Sequence, residues 1–215
     1  MEKISIRAGL FMVFALVMGG TPCRAAEATG GSRAAYWNFD KDRPGALPAG
    51  ATVFAGKWAV RADPDAPSLP NVLCQTGYSE YPALSLGDKV YTDVTIAAQF
   101  KPVSGAGDRA AGIIFRIRDK DNYYILRANA LEDNVNIYKY TDGRRRVIQE
   151  GSARVPSGTW QELRVVVQGN RIRGFLNGKQ VVEAVDDTFK AGKIGLWTKA
   201  DSVTCFDTVR VNPAD

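Results

Sequence analysis

The chain contains no histidine. This absence excludes Ser-His-Asp and Cys-His catalysis and any histidine-ligated zinc, copper or haem, so its chemistry must run on carboxylates, tyrosine, lysine or arginine. Long apolar runs are missing too. The stretch from Leu10 to Met18 is uncharged but too short to span a bilayer. It follows Lys3 and Arg7 and precedes Ala26-Glu27-Ala28, which places small residues at the two positions that a signal peptidase reads. Residues 1–28 are therefore expected to be a signal peptide cleaved near Ala28, and residues 29–35 a short leader. Residues 36–213 form one domain of a periplasmic or secreted protein, with no transmembrane segment in the mature part.

Cysteine is scarce. Of three, Cys23 lies in the expected signal region, which leaves Cys74 and Cys205. In an oxidising compartment the two fit one disulfide that staples an early strand to a late one; two buried free thiols are the alternative, since sequence does not give their separation.

Helical periodicity is also absent, and what replaces it is a succession of short β-rich runs. Strands are expected over Val53–Val60, Val72–Thr76, Val90–Pro102, Ala110–Arg118, Tyr123–Ala130, Asn134–Tyr140, Arg145–Gln149, Trp160–Gly169, Arg171–Asn177, Gln180–Val185, Lys193–Lys199 and Thr204–Val211. Asp142-Gly143, Gly169-Asn170 and Asn177-Gly178 suit tight hairpin turns. Arg61 to Pro70, with three prolines, reads as a loop. The pattern implies an all-β fold, a two-sheet antiparallel jelly-roll sandwich.

Charge is modest, at +5. Basic residues are dispersed except for Arg144-Arg145-Arg146, which directly follows a turn. The triplet fits a solvated hairpin end better than a phosphate or acidic-polymer contact, and no nucleic-acid module accompanies it. Oligomeric state leaves no trace in the sequence.

Six motifs occur in order: Ala111-Gly112-Ile113-Ile114-Phe115-Arg116, Asp121-Asn122-Tyr123-Tyr124, Gly158-Thr159-Trp160-Gln161-Glu162-Leu163, Arg171 to Lys179, Gly192-Lys193-Ile194-Gly195-Leu196, and Phe206 to Val211. Together they resemble the concanavalin A-like/laminin-G-like superfamily. Within it they resemble the secreted bacterial 3-keto-disaccharide hydrolase family, also labelled family 16-like glycoside hydrolase. The resemblance covers residues 36–211. It implies the lectin/glucanase type of sandwich and a carbohydrate-directed function. The chain departs from the hydrolase-type branch at Ala110-Ala111, where Asn-Ser is usual, and at Trp197-Thr198-Lys199, where a Gln-rich segment is usual. It also lacks the Glu-x-Asp-x-Glu strand of true family 16 enzymes.

Strict alternation assigns Ile113, Phe115 and Ile117 to the core and Arg116 to the opposite face. Continued over the next strands, it gathers Arg116, Tyr123, Arg127, Asn129, Asn134, Asn136 and Tyr138 on one face, joined by Trp197 and Lys199 and, less directly, Gln75. Such a face suits a saccharide: aromatic rings stack on pyranose C–H faces, and Asn and Arg offer paired donors to vicinal hydroxyls. A polar face turned merely to water is the competing explanation. For a keto-sugar eliminase one base suffices, and Glu132, beside Arg127, is the first candidate; Asp133 and Asp201 are others. Asp40 and Asp207 are candidates for a structural calcium site. Three functions follow: saccharide binding, keto-glycoside cleavage, or a laminin-G-like protein contact.

Overall fold

The computed structural model describes Met1 and residues 34–214; the expected signal peptide and most of the leader lie outside the described residues. Among the described residues there are fifteen strands and no helix: β1 (Ala35–Trp37), β2 (Ala51–Ala55), β3 (Trp58–Ala62), β4 (Asn71–Gln75), β5 (Ala83–Leu86), β6 (Val94–Ser104), β7 (Ala110–Asp119), β8 (Asn122–Asn129), β9 (Asn134–Thr141), β10 (Arg144–Gln149), β11 (Gln161–Gln168), β12 (Arg171–Leu176), β13 (Lys179–Val185), β14 (Lys193–Trp197) and β15 (Val203–Pro213). One sheet runs β13-β12-β11-β6-β15-β4-β3, with β1 also on β15; the other runs β10-β9-β8-β7-β14-β5-β2. Neighbours on both are antiparallel, giving the jelly-roll sandwich that the turn spacing implies.

Period-two alternation builds three apolar layers. The main core lies between the sheets, where Ile113, Phe115, Leu126 and Ile137 of the second sheet meet Ile96, Phe100, Val165 and Phe206 of the first. A small layer on the outer face of the first sheet holds Val72, Cys74 and Cys205. A larger one covers the outer face of the second sheet and includes Ile114, Tyr123, Ile125, Tyr138 and Trp197. Cys74 and Cys205 are register partners on β4 and β15 and are disulfide-bonded. The bond joins chain segments 131 residues apart.

Two departures have local causes. The single run Val53–Val60 is broken into β2 and β3 at Gly56, whose φ of +87° and a Cβ position only 2.6 Å from Pro82 Cβ both require glycine. On β7 the register with β8 shifts between Phe115 and Asp119, where Arg116 takes a φ of +49°. This bulge inverts the alternation. Ile117 therefore joins the outer layer with Ile114, instead of the core with Phe115.

Candidate functional site

The outer face of the second sheet is assembled by three registers. Tyr123, Arg127 and Asn129 on β8 oppose Tyr140, Asn136 and Asn134 on β9, Gly112 on β7 opposes Arg127, and Trp197 on β14 opposes Gly112. Gly112 admits the indole: a Cβ there would lie 3.2 Å from Trp197 Cε3 and from Leu126 O. Of the residues expected on this face, Tyr123, Arg127, Asn129, Asn134, Asn136, Tyr138 and Trp197 share it, with Lys199 at its margin.

At the end of β8 the chain turns through Leu131–Asp133, with Asp133 at a φ of +48°. That turn brings Glu132 back over β8. Arg127 Nη2 donates to Glu132 Oε2 at 2.6 Å and to Asn134 Oδ1 at 2.8 Å, and Asn134 Nδ2 donates to the same Glu132 oxygen at 2.9 Å. Asn136 accepts from Gly151 N and donates to Tyr138 Oη at 3.0 Å. Glu132, Asn134, Asn136, Glu150, Gly151 and Ser152 line a cavity of about 230 Å³. This is below the roughly 300–1,000 Å³ of sites for drug-sized ligands.

A second carboxylate lies beneath this cluster. Asp108, buried near the end of the loop into β7, accepts from Asn129 Nδ2 at 2.7 Å. Burial pushes its pKa up, aided by the charge of Glu132 and opposed by Arg127 and Lys199. Glu132 moves the other way: partial burial raises its pKa, but the bonds from Asn134 and Arg127 and the Arg127 charge outweigh it, leaving Glu132 below the usual glutamate range. The two carboxyls are thus shifted in opposite directions.

Aromatic rings form the rest of the floor. Tyr81 stacks on Trp197 at 6.0 Å, Tyr123 stacks on Tyr140 at 4.9 Å, and Tyr81 meets Tyr140 edge-on. Arg127 and Arg145 lie 5.2 and 4.6 Å from the Tyr138 ring centroid, and Arg145 also contacts Tyr81 and Trp197. Lys199 Nζ lies over Tyr81 at 5.0 Å. Trp197 is fully buried, so the indole is a support and Tyr81, only partly buried, is the outward ring. Burial raises the Tyr123 pKa, as does neighbouring Tyr140, which keeps Tyr123 protonated.

Two residues expected on this face, Arg116 and Gln75, fall elsewhere. Because of the bulge, Arg116 turns away from the face into the end of the sandwich, where it donates to Thr92 O, Phe189 O and Gly169 O and pairs with Asp93 at 3.4 Å. It is a structural clamp between sheets. Gln75 belongs to the other sheet and is buried, donating to Thr198 Oγ1 and Ser202 O. Asp207 accepts from the Ser68 amide and hydroxyl and the Thr208 amide, and Asp40 accepts from Asn38 Nδ2 and Asn71 N. Their lone pairs face N–H and O–H donors, the complement of a cation site. Among the described residues no three His, Cys, Asp or Glu side chains converge as metal ligands. The other acids also serve the backbone: Asp133 accepts from Val155 N, and Asp201 from Ala106, Gly107 and Asp108. The sequence reading missed Asp108, Tyr81 and Arg145. The pattern around Arg145 did contain a signal, since alternation on β10 pairs it with Tyr140.

A jelly-roll sandwich with this polar and aromatic sheet face defines a carbohydrate-binding or glycosidase-like β-sandwich. Residues 77–212 match the 3-keto-alpha-glucoside-1,2-lyase-like domain family, and the chain belongs to that family. It is 26% identical over 121 residues to the levanase of Bacillus subtilis (strain 168), covering 56% of this chain but only 18% of the levanase. Two solved structures share the fold. The carbohydrate binding module CBM66 from Bacillus subtilis superimposes with a TM-score of 0.65 at 22% identity, over 74% of this chain and 93% of that one. Domain 4 of AbnA, an extracellular arabinanase from Geobacillus stearothermophilus solved with arabinotriose, gives 0.56 at 13% identity, over 82% and 90%.

Proposed function

We propose that this protein is an exported saccharide-binding domain that holds one sugar unit at the Glu132–Asn134–Asn136 cavity, with neighbouring units running over the Tyr81–Tyr138–Arg145 surface. The observation that carries this reading is the hydrogen-bonded cluster of Arg127, Glu132 and Asn134 at the mouth of a cavity of about 230 Å³. It presents an anionic acceptor, amide donors and a fixed guanidinium within one sugar's width, beside an aromatic floor. The carbohydrate binding module and the arabinanase domain share its sandwich, and the Cys74–Cys205 disulfide suits an oxidising compartment. Levan, arabinan oligosaccharides and neutral glucans are the first ligands to test by calorimetry. Saturable binding that Glu132→Gln weakens supports the reading; no binding to any of them at millimolar sugar contradicts it.

The opposed acidities of Asp108 and Glu132 favour a second reading, elimination from a 3-keto-glycoside. A carboxylate removes the C2 proton that the ketone acidifies, the C1–O bond breaks with formation of a C1–C2 double bond, and the leaving oxygen takes up a proton. In this reading Glu132 is the base and Asp108 the proton donor to the leaving oxygen. Incubation with a 3-keto-disaccharide tests it: elimination that survives in both Glu132→Gln and Asp108→Asn removes both residues from the chemistry.

A further inference from the structure

The arginine triplet is divided by the strand that carries it. On β10, Arg145 pairs with Tyr140 and reaches the aromatic floor of the outer face. Its neighbours point the other way, as successive strand residues must. Arg144 pairs with Thr141 and Arg146 with Lys139 across β9. Lys139, Thr141, Asp142, Arg144, Arg146 and Thr188 line a cavity of about 530 Å³ at this rim of the sandwich, away from the Glu132 cavity.

Three cations and one carboxylate, Asp142, border that cavity, and the commitments of the cations differ. Lys139 Nζ is held by Asp186 at 2.8 Å and Thr188 at 3.0 Å, so it is a fixed wall. Asp186 is fully engaged, since it also accepts from Tyr124 Oη and Thr188 N. Arg144 and Arg146 are exposed, and no ion pair engages either among the described residues. Two free guanidiniums, one residue apart on the same side of an edge strand, repel each other and are planar forks suited to a tetrahedral or carboxylate oxyanion.

We propose that this rim cavity binds an oxyanion borne by a polysaccharide, a sulfate ester or a uronate carboxylate, with Arg144 and Arg146 as its donors and the Asp186-paired Lys139 as its fixed wall. The polysaccharide carrier rests on the saccharide reading of the outer face. β10 places Arg145 in that face and its neighbours in the cavity, so one chain draped over the edge strand reaches both. The oxyanion site itself does not depend on that reading.

The test is titration of the full protein with a sulfated dextran oligosaccharide, an oligogalacturonate and a neutral dextran of equal length. Arms with inorganic sulfate and duplex DNA accompany them. The expected result is salt-sensitive binding of at least one anionic oligosaccharide, weakened about tenfold or more by the double variant Arg144→Gln/Arg146→Gln. The double variant Lys41→Gln/Arg43→Gln, which removes the same charge from a distant loop, should leave that binding within about twofold. Equal loss in the Lys41/Arg43 variant, or none in the Arg144/Arg146 variant, overturns the site. Binding of sulfate or DNA without either anionic oligosaccharide overturns the polysaccharide carrier. Failure of Glu132→Gln to affect neutral glycans bears only on the outer face.

Discussion

Arg127 on β8 and Glu132 in the turn that follows it are joined by a 2.6 Å charge-assisted hydrogen bond, with Arg127 buried and Glu132 half-exposed. This asymmetry predicts different consequences for the two partners. Glu132→Gln should change stability by less than about 1 kcal/mol, as expected of a solvent-screened pair. Arg127→Ala removes the donor on which Glu132 and Asn134 converge, together with a buried side chain that packs over the Tyr138 ring. It should cost about 2–4 kcal/mol in urea denaturation.

Arg116 offers a contrast between structural and binding arginines. Its guanidinium is buried on three carbonyls at the end of the sandwich. Arg116→Ala should destabilise the fold by roughly 3 kcal/mol or more while leaving any glycan affinity of the surviving folded protein unchanged. Arg145→Ala should do the reverse, with a melting temperature close to that of the parent and weaker glycan binding. Parallel thermal melts and calorimetry separate the two.

The pH dependence follows from Asp186. Burial raises its pKa, but the bonds from Lys139, Thr188 and Tyr124 outweigh this and hold it far below the ordinary aspartate value. A depressed folded-state pKa means that the associated stability is fully present above the unfolded-state value near 3.8 and is lost as pH falls through the folded-state value. Asp186→Asn should therefore be less stable than the parent at pH 6, and the gap should narrow below pH 3.8. Urea midpoints measured across that range check the sign.

Cys74 and Cys205 tie β4 to β15 across 131 residues. Replacing both by alanine should cost about 2–5 kcal/mol, and reductant should lower the parent's denaturation midpoint but not the variant's. A mass measurement without reductant should find two hydrogens fewer than the reduced chain.

Much of this was legible in the sequence, and the exceptions have physical causes. The Tyr123–Asn129 and Asn134–Tyr140 strands show clean alternation because one side faces the core and the other the site, so Arg127, Asn129, Asn134 and Asn136 could be placed together from pattern alone. Arg116 could not. A bulge changes the phase of a strand without changing its residue types, and Ile114 and Ile117 are apolar on the side that alternation reserves for polar groups. Asp108 and Tyr81 sit in irregular segments, where no period carries information and only tertiary contacts bring them to the sheet. Arg145 was hidden differently: within a run of three arginines, composition suggested a solvated end, whereas one of the three is half-buried against rings.

The most direct measurement is calorimetric titration of the parent, Glu132→Gln and Arg145→Ala with levan, arabinan and neutral glucan oligosaccharides, after circular dichroism confirms that all three are folded. The account predicts that at least one glycan binds the parent saturably and that each variant loses about tenfold or more in affinity. Binding that is equal in all three proteins, or absent from the parent, would contradict it.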